Sequence, residues 1–189
     1  KPEKLEIPPE EMENAKKLHN ELVEKAAEND EKLMELYFER GSLDEDEMKQ
    51  GLKAGMMAHQ IFPVFCLSAK KDMGSGRLMG FIDNVAPSAI DMPAEIAEDK
   101  TLVPCIPTGP TVLFFYKTII EPHLGKLAFF KVLSGEVSAG TDLMNHKTNT
   151  SERLTQLFIM DGKSRNTVDK LKAGDLGCTL KLKNTFTNH

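Results

Sequence analysis

The sequence predicts two unlike units in one chain, a mostly helical α/β segment followed by an all-β barrel. Three observations carry this. Apolar side chains in the first sixty residues recur at three and four, the spacing of amphipathic helices. Five prolines crowd the 24 residues from Pro87 to Pro110, which forbids a long helix or a central strand there. From Thr111 onward, short β-rich runs alternate with turn glycines at 125, 135, 140, 162 and 174. The predicted boundaries are 1–86 for the first unit, 87–110 for a proline-rich linker and 111–189 for the barrel.

Pro8-Pro9-Glu10-Glu11 places proline and acids where a helix begins, and Ala15, Leu18, Leu22 and Ala26 then form one apolar stripe. Asp30 caps a second helix carrying Leu33, Leu36 and Tyr37, stopped by Gly41. Asp44 with Glu47 three residues on forms a capping box, opening a helix whose expected inner face is Met48, Leu52, Met56 and His59. Gly51 and Gly55 weaken that helix locally and admit close packing. Ile61 to Leu67 is an expected buried strand, and Ser75 to Val85 a last helix with Leu78, Phe81, Ile82 and Val85 inward. Six strands are expected in the barrel: 112–120, 127–133, 143–145, 154–160, 168–171 and 176–182. In the last, Leu176, Cys178, Leu180 and Leu182 alternate with small or charged residues, so one face is buried. Phe129 and Phe130 are adjacent and must point to opposite faces.

With 40% hydrophobic and 28% charged residues, the chain of 189 has enough apolar material for a real core. No run approaches the roughly 18 apolar residues of a membrane span, and the start, Lys-Pro-Glu-Lys, gives secretion no support. Three scattered cysteines, Cys66, Cys105 and Cys178, fit small thiols in a reducing cytoplasm better than a disulfide framework. Residues 1–100 hold 13 Lys/Arg against 22 Asp/Glu, a balance of −9; residues 101–189 hold 11 against 7, a balance of +4. Unequal halves suggest different neighbours, and a mildly basic barrel suits RNA phosphates or an ordinary solvated surface equally.

The run Ile61 to Lys71 ends in Ser68-Ala69-Lys70, the place where open α/β sheets hold ligands. Ser-Ala-Lys after such a strand resembles the guanine-base loop of GTP-binding proteins. The sequence has no G-x-x-x-x-G-K-[S/T] loop to cradle phosphates; Gly162-Lys163-Ser164 approaches it, but Leu157 stands where the first glycine belongs. Neither Asp-x-x-Gly nor Asn-Lys-x-Asp occurs. One end of a nucleotide site without the rest points to a piece of a larger protein.

Further along, the resemblance becomes specific. Glu121-Pro122-His123-Leu124-Gly125-Lys126-Leu127-Ala128-Phe129-Phe130-Lys131-Val132-Leu133-Ser134-Gly135, then Ala139-Gly140-Thr141-Asp142 and Ala173-Gly174-Asp175, are similar to the second, β-barrel domain of bacterial elongation factor G. Pro63 to Ala69 resembles the last strand and guanine loop of that family's GTPase domain, and Glu31 to His59 the end of its inserted helical subdomain. The resemblance implies a fold made of the C-terminal part of a P-loop GTPase domain with its helical insert, then a translation-factor-type six-stranded β-barrel. It implies a parent that binds GTP or GDP with Mg, docks on the ribosome and drives translocation of tRNA and messenger RNA. Ribosomal-protection proteins share these domains, so the branch stays open.

In the family pattern Ser68 and Ala69 contact the guanine base, with Lys70 beside them; the bland alternative is a polar strand exit. Lys126 and Lys131, with Lys181 and Lys183, are candidates to face ribosomal RNA, or form an edge whose lysines discourage aggregation. The acidic helices would let the insert touch ribosomal stalk proteins. His19, His59, His123, His146 and His189 show no ligand spacing, so no metal site is expected. No catalytic residue is assigned, and no GTPase activity is expected of this stretch alone. Neither DNA nor a membrane is an expected partner. Cys66 reads as core, against a weaker thiol-enzyme alternative. The rival from another class is a non-enzymatic adaptor that binds RNA or protein through the same two units. A parallel strand at 61–67 without neighbours would leave a sheet edge through which the chain self-associates.

Overall fold

The structure is a computed structural model and describes residues 6–121 and 125–189. It divides into two compact units, Lys1–Pro87 and Ser88–His189.

In the first unit a short 3-10 turn, Pro9–Glu11, leads into α1 (Met12–Ala27). Asp30 caps α2 (Glu31–Arg40) by accepting from the backbone N–H of Lys32 and Leu33 at 2.9 and 3.1 Å, and Gly41 ends it with φ +70°. The Asp44–Glu47 capping box is formed in full at the start of α3 (Glu45–Met57): Asp44 accepts from Glu47 N at 2.8 Å and Glu47 accepts from Asp44 N at 2.9 Å. α1 and α3 approach so closely that a Cβ on Gly51 would run into the Ala26 carbonyl; one on Gly55 would lie 2.5 Å from Ile61 and 2.8 Å from Asn29, in the segments that follow α3 and α1.

That close approach corrects the expected stripe on α1. Only small side chains fit against a glycine face, so α1 buries Val23, Ala26 and Ala27. Leu18 and Leu22 are left 55% and 44% exposed. His59 does not face inward either. It stands just past α3 with φ +56°, where the chain reverses and the N–H groups of Gln60 and Ile61 both return to the Gly55 carbonyl. α4 (Ser75–Asn84) half-buries Leu78 and Phe81, but Ile82 is exposed.

The expected strand 61–67 is also corrected. Among the described residues this run pairs with no neighbour, because a parallel strand exists only between partners. Ile61 lies on Gly55, and Phe65 stacks edge-on against Phe81 at 4.8 Å. Phe62 and Val64 are 75% and 90% exposed, and Cys66 is exposed instead of core.

The second unit opens with a small hairpin in the proline-rich stretch, β1 (Glu95–Ile96) with β2 (Leu102–Val103). Nine further strands follow: β3 (Val112–Glu121), β4 (Gly125–Ser134), β5 (Glu136–Ser138), β6 (Thr141–Asn145), β7 (Thr150–Leu154), β8 (Leu157–Asp161), β9 (Ser164–Val168), β10 (Lys170–Lys172) and β11 (Leu176–Leu180). All pairings are antiparallel: a five-stranded sheet ordered β3-β4-β11-β8-β9, and the pairs β5–β10 and β6–β7. The six expected strands thus resolve into nine. The run 154–160 is broken between β7 and β8, and β5 and β9 read Glu-Val-Ser and Ser-Arg-Asn-Thr-Val, too polar or short to announce themselves. β9 is an edge strand, and its exposed residues need no apolar face.

Phe115, Ala128, Phe130, Val132, Val137, Leu154, Leu157, Leu171 and Leu182 form the barrel core. The other face of β4 and β11 carries a second cluster, Leu127, Phe158, Cys178 and Leu180, with Phe129 packed against it. The two phenylalanines do point opposite ways, Phe130 fully buried and Phe129 half-buried. Cys178 lies in the second cluster, where burial pushes its thiol up to about 11, so it is a packing residue and not a nucleophile. The alternation expected across 176–182 holds only in part: Leu176 is 57% exposed, and Gly177 and Thr179 are buried along with Cys178 and Leu180 because both faces of β11 are covered. Lys181 takes φ +67°, which shifts the phase and sends Leu182 into the barrel core instead of beside Leu180.

Beyond β11 the chain crosses to the free edge of β3, where Phe115 N–H donates to His189 O at 2.6 Å and Asn188 N–H to Phe115 O at 2.7 Å. Glu152 on β7 anchors this crossing. One carboxylate oxygen accepts from Lys183 N and Asn184 N at 2.5 and 2.9 Å, the other from the Thr185 hydroxyl. Burial works to raise the Glu152 carboxyl, but these hydrogen bonds and the nearby Lys126 charge outweigh it and hold it below its usual range. A depressed carboxyl contributes stability above the ordinary glutamate range, and that contribution fades as pH falls through the folded value. Glu152→Gln should therefore cost about 1–2 kcal/mol at neutral pH, allowing for partial exposure. The gap to the unsubstituted chain should close toward pH 3 in urea unfolding; a constant gap would remove the charge from the account.

Candidate functional site

Ser68–Lys70 sits where the sequence places it, just before α4, in a small closed loop. Ser68 N–H donates to Met73 O at 2.8 Å and Met73 N–H to Ser68 O at 3.1 Å. Between them a 3-10 turn, Ala69–Lys71, is closed by Lys71 N–H to Ser68 O and Asp72 N–H to Ala69 O, both 3.2 Å. Asp72 takes φ +50° and accepts from the Ser75 hydroxyl at 2.8 Å, which leads the chain into α4. Gly74 is required here: its φ is +82°, and a Cβ would lie 2.9 Å from the Cys66 carbonyl.

This geometry sorts the donors. The Ser68 N–H is spent inside the loop, whereas the N–H groups of Ala69 and Lys70 come first in the turn and have no carbonyl within it. Ala69 and Lys70 are exposed and Ser68 half-buried. A backbone donor left open in an exposed turn suits a ligand presenting a carbonyl oxygen.

The two barrel lysines have protein partners. Lys126 donates to the Thr185 carbonyl and lies 3.7 Å from the centre of the Phe186 ring, a cation–π contact. Lys131 pairs with Glu95 at 3.7 Å. Lys181 and Lys183 are exposed. Pro122, His123 and Leu124 of the sequence motif lie outside the described residues. Among the described residues no three His, Cys, Asp or Glu side chains gather as metal ligands would, and no helix is long and apolar enough to cross a membrane. Sequence reasoning missed the cluster around Glu152, in which Asn145 also reaches Thr185 and His189 at 3.0 Å. Single polar residues on separate strands leave no motif to find.

The sequence model of the family described as elongation factor G domain 2 matches residues 111–188, the barrel from the start of β3 through the crossing segment. The barrel is thus similar to elongation factor G domain 2. A crystal structure of a Thermus thermophilus protein superposes with a TM-score of 0.80 at 22% identity, over 98% of this chain and 26% of its own. At that identity the likeness shows the fold, and it covers the helical unit as well as the barrel. The chain thus spans about a quarter of that structure's length. A bacterial selenocysteine-specific elongation factor superposes with a TM-score of 0.44 at 15% identity, over 73% of this chain and 22% of its own.

Proposed function

We propose that this chain belongs to a ribosomal translocation GTPase of the elongation factor G type, in which the Ala69 turn reads the guanine base and the barrel docks on the ribosome. The observation that carries the reading is the barrel at 111–188, similar to elongation factor G domain 2 and preceded in the same chain by an exposed Ser-Ala-Lys turn. The Ala69 N–H suits the guanine carbonyl, and adenine offers an amino group there instead of an acceptor. A donor left unpaired by the wrong base gives strong discrimination. Lys70 would lie beside the base. The residues present do not fit the rest of GTP: no sequence motif here cradles phosphates, and no cluster of carboxylates among the described residues suits Mg. Phosphate and metal chemistry would come from elsewhere in a longer protein.

Ala69→Pro in a longer protein containing this chain tests the reading cleanly. Proline removes one N–H and fits the first position of a turn. Ser68 before it has φ −130° and ψ 101°, the extended conformation that a following proline favours. The turn should survive while GDP affinity falls roughly tenfold, about 1.4 kcal/mol. Unchanged GDP affinity would exclude Ala69 as the base contact, and absence of guanine-nucleotide binding by the unsubstituted protein would sink the whole reading.

A further inference from the structure

The β1–β2 hairpin carries acids against the basic residues of the barrel. Glu98 pairs with Lys147 at 3.1 Å and Glu95 with Lys131 at 3.7 Å. The Thr101 N–H donating to Asp99 holds that carboxyl below its usual range, and His146 nearby acts in the same direction. Lys147 is presented by a tight turn in which Asn145 accepts from the N–H groups of Lys147 and Thr148 at 3.0 and 3.3 Å. The hairpin itself is lightly attached. Its strands are two residues long, Ile96 and Leu102 are 71% and 64% exposed, and Val103 is its buried apolar residue. Exposed ion pairs are weak and screened by salt.

We propose that Lys131 and Lys147 form a docking surface for an RNA phosphate backbone, and that the β1–β2 hairpin covers this surface with its own carboxylates until RNA displaces it. The proposal rests on the reading of the barrel as a ribosome-docking domain. Glu95 and Glu98 hold carboxylate oxygens against these two lysines, the charge complementarity that phosphate oxygens would also satisfy. Lysine point charges suit phosphates, which position a protein without reading sequence. RNA arriving there would exchange two weak internal pairs for phosphate contacts and release its own counterions.

Binding of a labelled single-stranded RNA 20-mer to the full 189-residue chain decides the matter, with Glu95→Gln/Glu98→Gln compared against Asp161→Asn/Asp169→Asn. The two double variants change net charge equally, but the second pair of acids is exposed on and after the β8–β9 hairpin, away from these ion pairs. The hairpin variant should bind roughly tenfold tighter at low salt, with a log–log salt slope steeper by about 1.4, about 0.7 for each freed lysine. Adding Lys131→Gln/Lys147→Gln should abolish the gain. Equal tightening in both double variants, a gain that survives loss of the lysines, or no RNA binding by any variant overturns the proposal. Co-sedimentation of the unsubstituted chain with ribosomes is read separately. Its failure would count against ribosome docking, while the RNA comparison still decides whether the hairpin is a cover.

Discussion

Phe130→Ala is expected to cost the barrel about 3–5 kcal/mol, the range for deleting a fully buried aromatic ring. Phe130 is 0% exposed and packs its ring 5.4 Å from that of Phe115. The opposing residue on β11 is Gly177, and a Cβ there would lie 2.9 Å from the Phe130 ring and run into Leu171. The ring therefore occupies space that the partner strand leaves empty for it, and its removal opens a cavity that β4, tied on both sides, cannot close. Small domains hold about 5–15 kcal/mol in total, so the variant should unfold at a much lower denaturant concentration. Gly177→Ala alone should also destabilise by overpacking. In the Phe130→Ala background the same methyl group enters the cavity, so the two losses should not add. A Phe130→Ala loss below about 1 kcal/mol, or strict additivity with Gly177→Ala, would show that the core is arranged otherwise.

The barrel was legible because its signals are local. Turn glycines at 125, 135, 140, 162 and 174 all take positive φ, so the sequence punctuation matches backbone need. What escaped was phase and count. A single left-handed residue, Lys181, moves Leu182 to the opposite face, and period-two reasoning has no means of seeing it. The caps of α2 and α3 were equally legible, since Asp30, Asp44 and Glu47 act within three residues of themselves. The buried face of α1 was not, because a partner glycine decides it. Of the candidate site, the sequence marked the turn but not the donor: only the bond from Ser68 N–H to Met73 O shows that Ala69 and Lys70 are the groups left open. Lys126 and Lys131 were marked by charge, and their partners, Phe186 and Glu95, lie 60 and 36 positions away in sequence.

Gly51→Ala should unfold much of the helical unit, against the ordinary expectation for such a change. In a free helix, alanine is favoured over glycine by about 1 kcal/mol. Here the added Cβ would strike the Ala26 carbonyl, with the carbonyl carbon 2.8 Å away. Backbone inside α1 cannot swing aside as a flexible side chain would, so α1 and α3 must separate. Separation also loosens Val23, Ala26 and Ala27, which make up most of the fully buried apolar residues that α1 and α2 supply. Overpacking of this kind costs about 1–3 kcal/mol net, a large share for a unit with so little core. The control lies in α4, where Gly76 and Gly80 have nothing within 4 Å of an added Cβ. Alanine at either place should raise stability by about 0.5–1 kcal/mol. Thermal melts followed at the helical circular dichroism band should then move in opposite directions for Gly51→Ala and Gly80→Ala. If both melt higher than the unsubstituted chain, helix propensity outweighs contact at Gly51, and α1 and α3 are not held by the glycine face.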